Sequence, residues 1–294
     1  MAEPGMADGA MAEQDLLVRT HLSRYASPPG DPGWFGPGSV AWQVHADLAS
    51  MLVGGLCALL LQTLHPLVMQ GVEDHSDYRV DPFGRLQRTA EFIAGTTYGS
   101  DALASELVQR VRRIHGRVRG GTGGAGSYRA SDPGLLTYVH ATEVWSFLRA
   151  HQRYSGHLLL LSEKNRYLEE MAVVARRLGA RSVPVTTEEL RGYLYRMRPQ
   201  LAGTPAARRT ARYLTGSPLG RAPVERYSYK AICEAAVDLL PRHARRELRL
   251  DRPAVMRIGV VRPSATLVTS MLRFSVGPSP ILQAAERRAG SQSA

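Results

Sequence analysis

One stretch of the chain, residues 59–89 (LLLQTLHPLVMQGVEDHSDYRVDPFGRLQRT), concentrates side chains that can bind ligands or transfer protons. It begins as an apolar run and then carries two histidines, His65 and His75. The polar residues that follow are Glu73, Asp74, Asp77, Tyr78, Arg79, Arg85, Arg88 and Thr89. Titratable groups between apolar flanks are typical of a functional site. Two helices joined by a surface loop with solvated charges would show the same pattern, so both interpretations stay open.

Two predicted helices position these residues. Ser39 can cap a helix over residues 40–64, which ends at His65-Pro66 because the residue before a proline avoids the helical region. Asp81-Pro82 is a typical helix start, with the aspartate as N-cap and the proline in the first turn. In this second helix Arg85 and Thr89 lie four residues apart and share a face. They border a predicted core stripe of Phe83, Leu86, Ala90, Ile93 and Thr97.

A third predicted helix, over residues 101–118, has the most regular pattern in the chain. Its buried face is predicted to contain Leu103, Leu107, Val111, Ile114 and Val118. His115 borders that face, and arginines cover most of the remainder. A histidine in this position is usually a core residue with one hydrogen bond, but it can also be a ligand.

Two further patterns have weaker meaning. GTGGAG, residues 121–126, matches a dinucleotide-binding motif, but that motif needs a preceding strand and a following helix. An arginine-rich helix precedes it here, so we interpret it as a loop. The next helix begins at Asp132-Pro133 and carries His140 and Glu143, which could ligate a metal together. Their order is the reverse of the Glu-x-x-His pattern of di-iron bundles.

The remaining sequence predicts ordinary helix packing. No alternating strand pattern is convincing, apart from a weak one at Ile258–Val261. We therefore predict an all-α protein with one helical domain over residues 31–275. Residues 1–30 and 276–294 are expected to be mobile segments.

Composition excludes several classes of protein. The net charge is +11, but only Lys164 and Lys230 are lysines, so an arginine coding bias explains the charge as well as nucleic acid would. Two cysteines, Cys57 and Cys233, are too few for a disulfide framework or a thiolate zinc site. The N-terminus lacks a secretory signal pattern, which favours a cytoplasmic protein. The apolar run at 48–64 is interpreted as a buried core helix and not as a membrane span.

Several medium-length motifs occur in a fixed order that resembles a known family. They are WQVHAD (42–47), LLLQTLHPLVMQGVEDHSDY, DPFGRLQRT, RRIHGRVRG and YRASDPGLLTYVHATEVWSFL. The resemblance is to the oxygenases that include the bacterial latex-clearing protein (rubber oxygenase) and the fungal mpaB-type enzymes. It extends over roughly residues 28–250.

The resemblance implies an all-helical fold with a globin-like core that holds one non-covalent haem b. No CxxCH motif for covalent attachment is present. In the family a histidine is the axial iron ligand, and an arginine and a threonine four residues apart lie near the haem. The matching residues here are His115, Arg85 and Thr89. The family's latex-clearing enzymes have a lysine before the threonine that can occupy the distal iron position, and Arg88 stands there in this chain.

The expected function is therefore oxidation of a small apolar substrate, isoprenoid-like or a secondary metabolite, by dioxygen or peroxide, with a possible electron donor. The family's catalytic glutamate cannot be placed by sequence, and Glu73 and Asp77 are the nearest candidates. Two alternatives remain open. One is a non-haem metal enzyme that uses His65, His75 and His140 with nearby carboxylates. The other is a non-catalytic haem-binding or lipid-binding helical protein.

Overall fold

The structure is a computed structural model that describes residues 20–76, 78, 80–121, 126–216 and 222–290, without the side chain of Phe83. Asp77 lies outside the described residues. So do Arg79, residues 122–125 of the predicted glycine-rich loop, and residues 1–19 and 291–294 of the predicted terminal segments.

The described chain is built from helices, which confirms the all-α prediction. They are α1 (residues 20–26), α2 (Val40–Ala46), α3 (Leu48–Gln62), α4 (Pro66–His75), α5 (Pro82–Tyr98), α6 (Asp101–Arg117), α7 (Pro133–Tyr154), α8 (Leu161–Leu178), α9 (Thr187–Met197), α10 (Pro205–Gly216), α11 (Pro223–Leu239), α12 (Arg242–Glu247), α13 (Ala254–Met256), α14 (Arg262–Val276) and α15 (Pro280–Gly290). A 3-10 turn spans Arg198–Gln200. Sequence analysis missed one small element, an antiparallel pair of two-residue strands, β1 (Arg119–Gly120) and β2 (Tyr128–Arg129).

The centre of the fold is the contact between α3 and α7. At Gly54 the helices approach so closely that a methyl group would lie 2.8 Å from Phe147 Cδ1. The buried face of α3 includes Val53, Cys57 and Leu60, which pack with alanines of α11. Removal of this continuous apolar surface from water is the main source of stability. The prediction of a buried core helix after residue 47 is confirmed.

The predicted single helix over residues 40–64 is wrong in one respect. The chain bends by 93° between α2 and α3. Asp47 lies at the bend with φ −85° and ψ 88°, outside the helical region. Its carboxylate accepts a hydrogen bond from Arg273 Nη2 at 2.8 Å, and its carbonyl accepts from Met51 N at the start of α3. Arg273, which is 226 positions away in the sequence, thus pairs with Asp47 at this bend.

The predicted helix starts are confirmed where local side chains determine them. Ser39, Asp81 and Asp132 each accept a backbone N–H in the first turn of α2, α5 and α7. The other end of α3 also agrees, because it stops at Gln62 and His65 caps α4 before Pro66.

The described parts of the predicted terminal segments contain helices. In α1 the Tyr25 side chain is only 1% exposed, and in α15 the buried Arg288 donates through Nη1 to the carbonyl of Tyr25 at 2.7 Å. The weak alternating pattern at Ile258–Val261 does not form a strand. That segment lies in a π-helical turn, Arg257–Val261, which joins α13 to α14.

Candidate functional site

The helices α5 and α6 form a hairpin that carries most of the predicted site. Its closed end is tight, because a methyl group at Gly95 would collide with Leu107 Cδ1. His115 lies eight residues beyond Leu107, or about 12 Å along α6 at the usual helical rise. Thr89 and Arg85 lie six and ten residues before Gly95, about 9 and 15 Å along α5. All three residues therefore belong to the open end of the hairpin.

His115 has a buried ring nitrogen, Nδ1, without a hydrogen-bond partner in the described part of the chain. The residue as a whole is half-buried. Burial alone lowers the pKa of the imidazole, so His115 is neutral at pH 7. A buried polar nitrogen without a partner is unfavourable unless something else satisfies it. A neutral, unpaired imidazole is also the form that binds a metal ion.

Arg85 and Thr89 lie on the same helix but are used differently. Arg85 is half-buried, and its guanidinium donates to Ser76 Oγ at the end of α4. Burial, with the nearby charge of Arg88, lowers the pKa of Arg85, so it lies in an environment that favours an anionic partner. Thr89 is exposed, and its hydroxyl donates to the carbonyl of Arg85 at 2.9 Å.

The open end of the hairpin leaves apolar surface uncovered. Leu86 and Ala90, predicted to be core residues, are exposed, and Leu86 is 42% exposed. On α6, Ile114 is 43% exposed, although its spacing also predicted burial. Arg88 stands at the same end and pairs with Asp81 Oδ2 at 3.4 Å. Helical periodicity predicted an apolar face correctly here but not that it lacks a covering element.

A second pair of titratable groups lies on α7. His140 is buried with its Nε2 unpaired, and burial lowers its pKa to about 4. Glu143, one turn later, has no hydrogen-bond donor in the described part of the chain, and burial raises its pKa to about 7. A carboxyl group that titrates near neutral pH is suited to accept or release a proton.

His45 is a buried histidine that the sequence interpretation did not select. Its Nδ1 is hydrogen-bonded to Thr97 Oγ1 at 2.8 Å and its Nε2 to the Tyr167 hydroxyl at 3.0 Å. Burial lowers its pKa to about 3. Because both ring nitrogens are satisfied, His45 joins α2, α5 and α8 and leaves no nitrogen free for a ligand. The WQVHAD motif, which contains His45, was the only sequence feature that indicated a role for this residue.

His65 and His75 lie elsewhere. His65 is buried, packs against Tyr138 with ring centroids 5.1 Å apart and the rings tilted by 49°, and has no partner for its Nδ1 in the described part of the chain. It lines a cleft of about 970 Å³ whose wall also contains Arg119, Tyr128 and Tyr193. His75 is exposed, and its Nε2 contacts the carbonyl of Arg119 at 3.3 Å.

The three histidines of the non-haem alternative are not assembled with carboxylates. Across the described ranges, no three His, Cys, Asp or Glu side chains are placed to hold a metal ion. Glu73, one of the two carboxylates nearest to the predicted site, accepts a hydrogen bond from the Tyr78 hydroxyl at 2.9 Å and pairs with Arg209 at 3.8 Å.

The helical fold, the unpaired His115 and the near-neutral carboxyl of Glu143 together are compatible with a cofactor-dependent enzyme. Comparison with known families agrees. The family model described as "ER-bound oxygenase mpaB/B'/Rubber oxygenase, catalytic domain" matches residues 42–270, and the chain belongs to this family. Searches of curated proteins and of solved structures found no match.

In the described part of the chain no single helix is long and apolar enough to cross a membrane. The bent pair α2 and α3 together has the length and composition of a span.

Proposed function

We propose that this protein is a haem b-dependent oxygenase that acts on a small apolar substrate, isoprenoid-like or a secondary metabolite, with dioxygen or peroxide. Membership of the oxygenase family supports the reaction class. The observation that carries the haem assignment is the neutral imidazole of His115, whose buried Nδ1 has no partner in the described chain.

The residues at the open end of the hairpin fit a haem. His115 would hold the iron, since a neutral histidine is the usual axial ligand of haem proteins that bind oxygen. Among the described residues Arg85 makes one side-chain hydrogen bond, to Ser76, and other N–H groups of its guanidinium can bind a propionate carboxylate. The uncovered side chains of Leu86 and Ile114 offer apolar surface to a flat, apolar group.

When bound, the haem supplies the redox chemistry with oxygen, which no side chain of the chain can perform. The protein's own part is to orient the substrate and to transfer protons. The Thr89 hydroxyl donates a hydrogen bond to the carbonyl of Arg85, and it can instead donate one to a polar reactant at this end of the hairpin. Glu143 is the carboxyl group best suited to accept a proton at neutral pH, because its pKa is about 7.

The cleft lined by His65 is a candidate region for substrate. Its volume of about 970 Å³ accommodates a small organic molecule, and Leu67, Leu135 and Tyr193 give it apolar walls. Arg119 on its wall lies two residues after the end of α6 and four residues after His115. This position supports the cleft as the side from which a substrate approaches.

The haem assignment is tested by an absorption spectrum of the purified protein. We expect a Soret band and about one haem per chain, extractable into acidic organic solvent because the chain has no CxxCH motif. A protein that stays colourless when haem is supplied during expression would contradict the assignment. Metal analysis of the same sample would then show whether a non-haem ion is present instead.

A coloured protein still has to be shown to be an enzyme. Oxygen or peroxide consumption with a panel of apolar isoprenoids separates an oxygenase from a protein that only binds haem or lipid. We expect substrate-dependent consumption that needs the haem. Haem binding without turnover on any of these compounds would favour the non-catalytic alternative.

Arg88→Lys tests the sixth coordination position. Arg88 lies two helical turns before Gly95 and therefore on the same side of α5 as Gly95, which contacts Leu107 of α6. Arginine stays protonated and has no lone pair for iron, so the ferric protein should carry water or no ligand there. A desolvated lysine can lose its proton and bind. We expect Arg88→Lys to shift the ferric spectrum to six-coordinate low-spin.

The matched control for that variant is Gln87→Lys, one position away and 100° around the helix. It should leave the spectrum unchanged. If Arg88→Lys and Gln87→Lys give the same spectrum as the unmodified protein, Arg88 does not face the iron. A native spectrum with strong nitrogen ligands on both sides would mean that another side chain occupies the distal position.

A further inference from the structure

The stretch from α13 to α14 is a continuous helical rod with one uncovered side. Its inner face is fixed to the body by Ala265, Val268 and Thr269, which are buried. Its outer face carries large apolar side chains that are about half exposed or more, namely Met256, Val260, Leu267, Met271 and Phe274. The Phe274 side chain is 92% exposed. We call these five residues the α13–α14 face. Scattered apolar residues are normal on a surface, but a contiguous group marks an interaction site.

The arginines of the α13–α14 stretch carry no unpaired charge. From Arg252 to Val276 the sequence contains no acidic residue and four arginines. Each arginine pairs with an acid: Arg252 with Glu234, Arg257 and Arg262 with the buried Asp238, and Arg273 with Asp47. The exposed positions between the apolar side chains are small or uncharged, namely Gly259, Pro263, Thr266, Ser270 and Ser275.

The absence of free charge points to a partner that is itself uncharged at the contact. A helix that lies on an anionic membrane normally presents lysine or arginine on its polar flank, whereas Arg257, Arg262 and Arg273 here bind acids of the body. A charged protein partner would need complementary charges at this surface. Two copies of this chain, each with a net charge of +11, repel one another wherever their arginines meet. The α13–α14 face is a surface where that repulsion is absent.

The spacing of the apolar residues also fits contact between helices. Val260, Leu267 and Phe274 are seven residues apart, and Met271 lies four after Leu267. This is the spacing of a seam between two packed helices. The small residues beside the seam allow the backbones to approach. In a two-fold dimer the same surface of each copy meets itself, so the surface must be self-complementary, as an uncharged apolar face is.

We propose that the α13–α14 face is the interface of a homodimer, in which α14 of one copy packs against α14 of the other. The unmodified protein should sediment as twice the chain mass at micromolar concentration. Leu267→Glu with Met271→Glu places acids of like charge in the interface and should weaken self-association at least about a hundredfold. The paired variant, Leu267→Lys with Met271→Lys, should do the same.

A mixture of the two variants gives the sharpest result. Each alone should be monomeric, whereas the mixture should form a heterodimer, because acids of one copy then face lysines of the other. Both positions are exposed, so helical content by circular dichroism should not change. Val224→Glu, on another exposed side chain at the start of α11, is the matched control and should leave the dimer intact.

Three outcomes would overturn the proposal. The first is an unmodified protein that stays monomeric up to high micromolar concentration. The second is a dimer that the Leu267 and Met271 variants do not disturb. The third is a monomer that floats with phosphatidylcholine vesicles and loses this property in both variants, which would identify the face as a lipid-binding surface.

Discussion

His115→Ala should yield a protein that folds but has lost most of its haem. We propose that the imidazole of His115 holds the iron, and its Nδ1 has no hydrogen-bond partner in the described chain. Its loss should change the free energy of unfolding of the haem-free protein by only about 1 kcal/mol, because the ring is half-buried and its unpaired nitrogen was already unfavourable. Haem per chain, measured after gel filtration, should fall from about one to a small fraction.

The matched controls are His140→Ala and His65→Ala. Both remove buried histidines that also keep one unpaired ring nitrogen. Each should lower stability more than His115→Ala does, because a larger part of a buried ring is removed. Each should still retain haem when folded. If His140→Ala or His65→Ala gives a folded, colourless protein and His115→Ala stays coloured, the ligand assignment is wrong. Added imidazole should restore the spectrum of His115→Ala alone.

Local chemistry explains which features of the fold were predictable. The caps Asp81 and Asp132 were predicted from a few neighbouring residues, and the structure has them, because a cap is a contact within one turn. The bend at Asp47 was not predictable in this way. Its carboxylate pairs with Arg273, which is far away in sequence and has no local signature. Short-range patterns cannot report such a contact.

In the candidate site, too, features set by local sequence were predictable and features set by distant contacts were not. The helix and position of His115 followed from periodicity, whereas the exposure of Leu86 and Ile114 depends on which neighbours cover the hairpin. The role of Glu143 was also not predictable. Its raised pKa results from burial in the folded chain, whereas the neighbouring residues in the sequence form an ordinary helical pattern. The weak strand pattern at Ile258–Val261 is a short run of β-branched residues, which periodicity alone cannot assign to a strand or a helix, and the folded chain places it in a helical turn.

Glu143 has a carboxyl group whose pKa burial raises from its ordinary 4.5 to about 7. If this group accepts a proton during turnover, kcat/KM should rise as pH increases through about 7, because only the ionised carboxylate can act as a base. Glu143→Gln keeps the size of the side chain and removes the base. We expect kcat/KM to fall about 10²- to 10⁴-fold with unchanged haem content, and the pH-dependent limb to disappear. Glu169→Gln, an exposed glutamate on α8, is the control and should retain activity.

The free energy of unfolding provides a second measurement on the same variant. Between pH 4.5 and 7 the folded chain keeps the Glu143 proton that the unfolded chain releases, so this group's contribution to stability falls as pH rises. His45 and His140, whose pKa values are lowered to about 3 and about 4, have the opposite effect. Their contribution to the free energy of unfolding falls as pH drops below their ordinary pKa of 6.5. The difference between Glu143→Gln and the unmodified protein isolates the carboxyl group. The free energy of unfolding of Glu143→Gln should exceed that of the unmodified protein by an amount that grows with pH and reaches about 1–3 kcal/mol at pH 7. The lower part of this range allows for the partial exposure of the side chain to water. A difference that does not change with pH would show that Glu143 titrates normally, and its role as the base would then be lost.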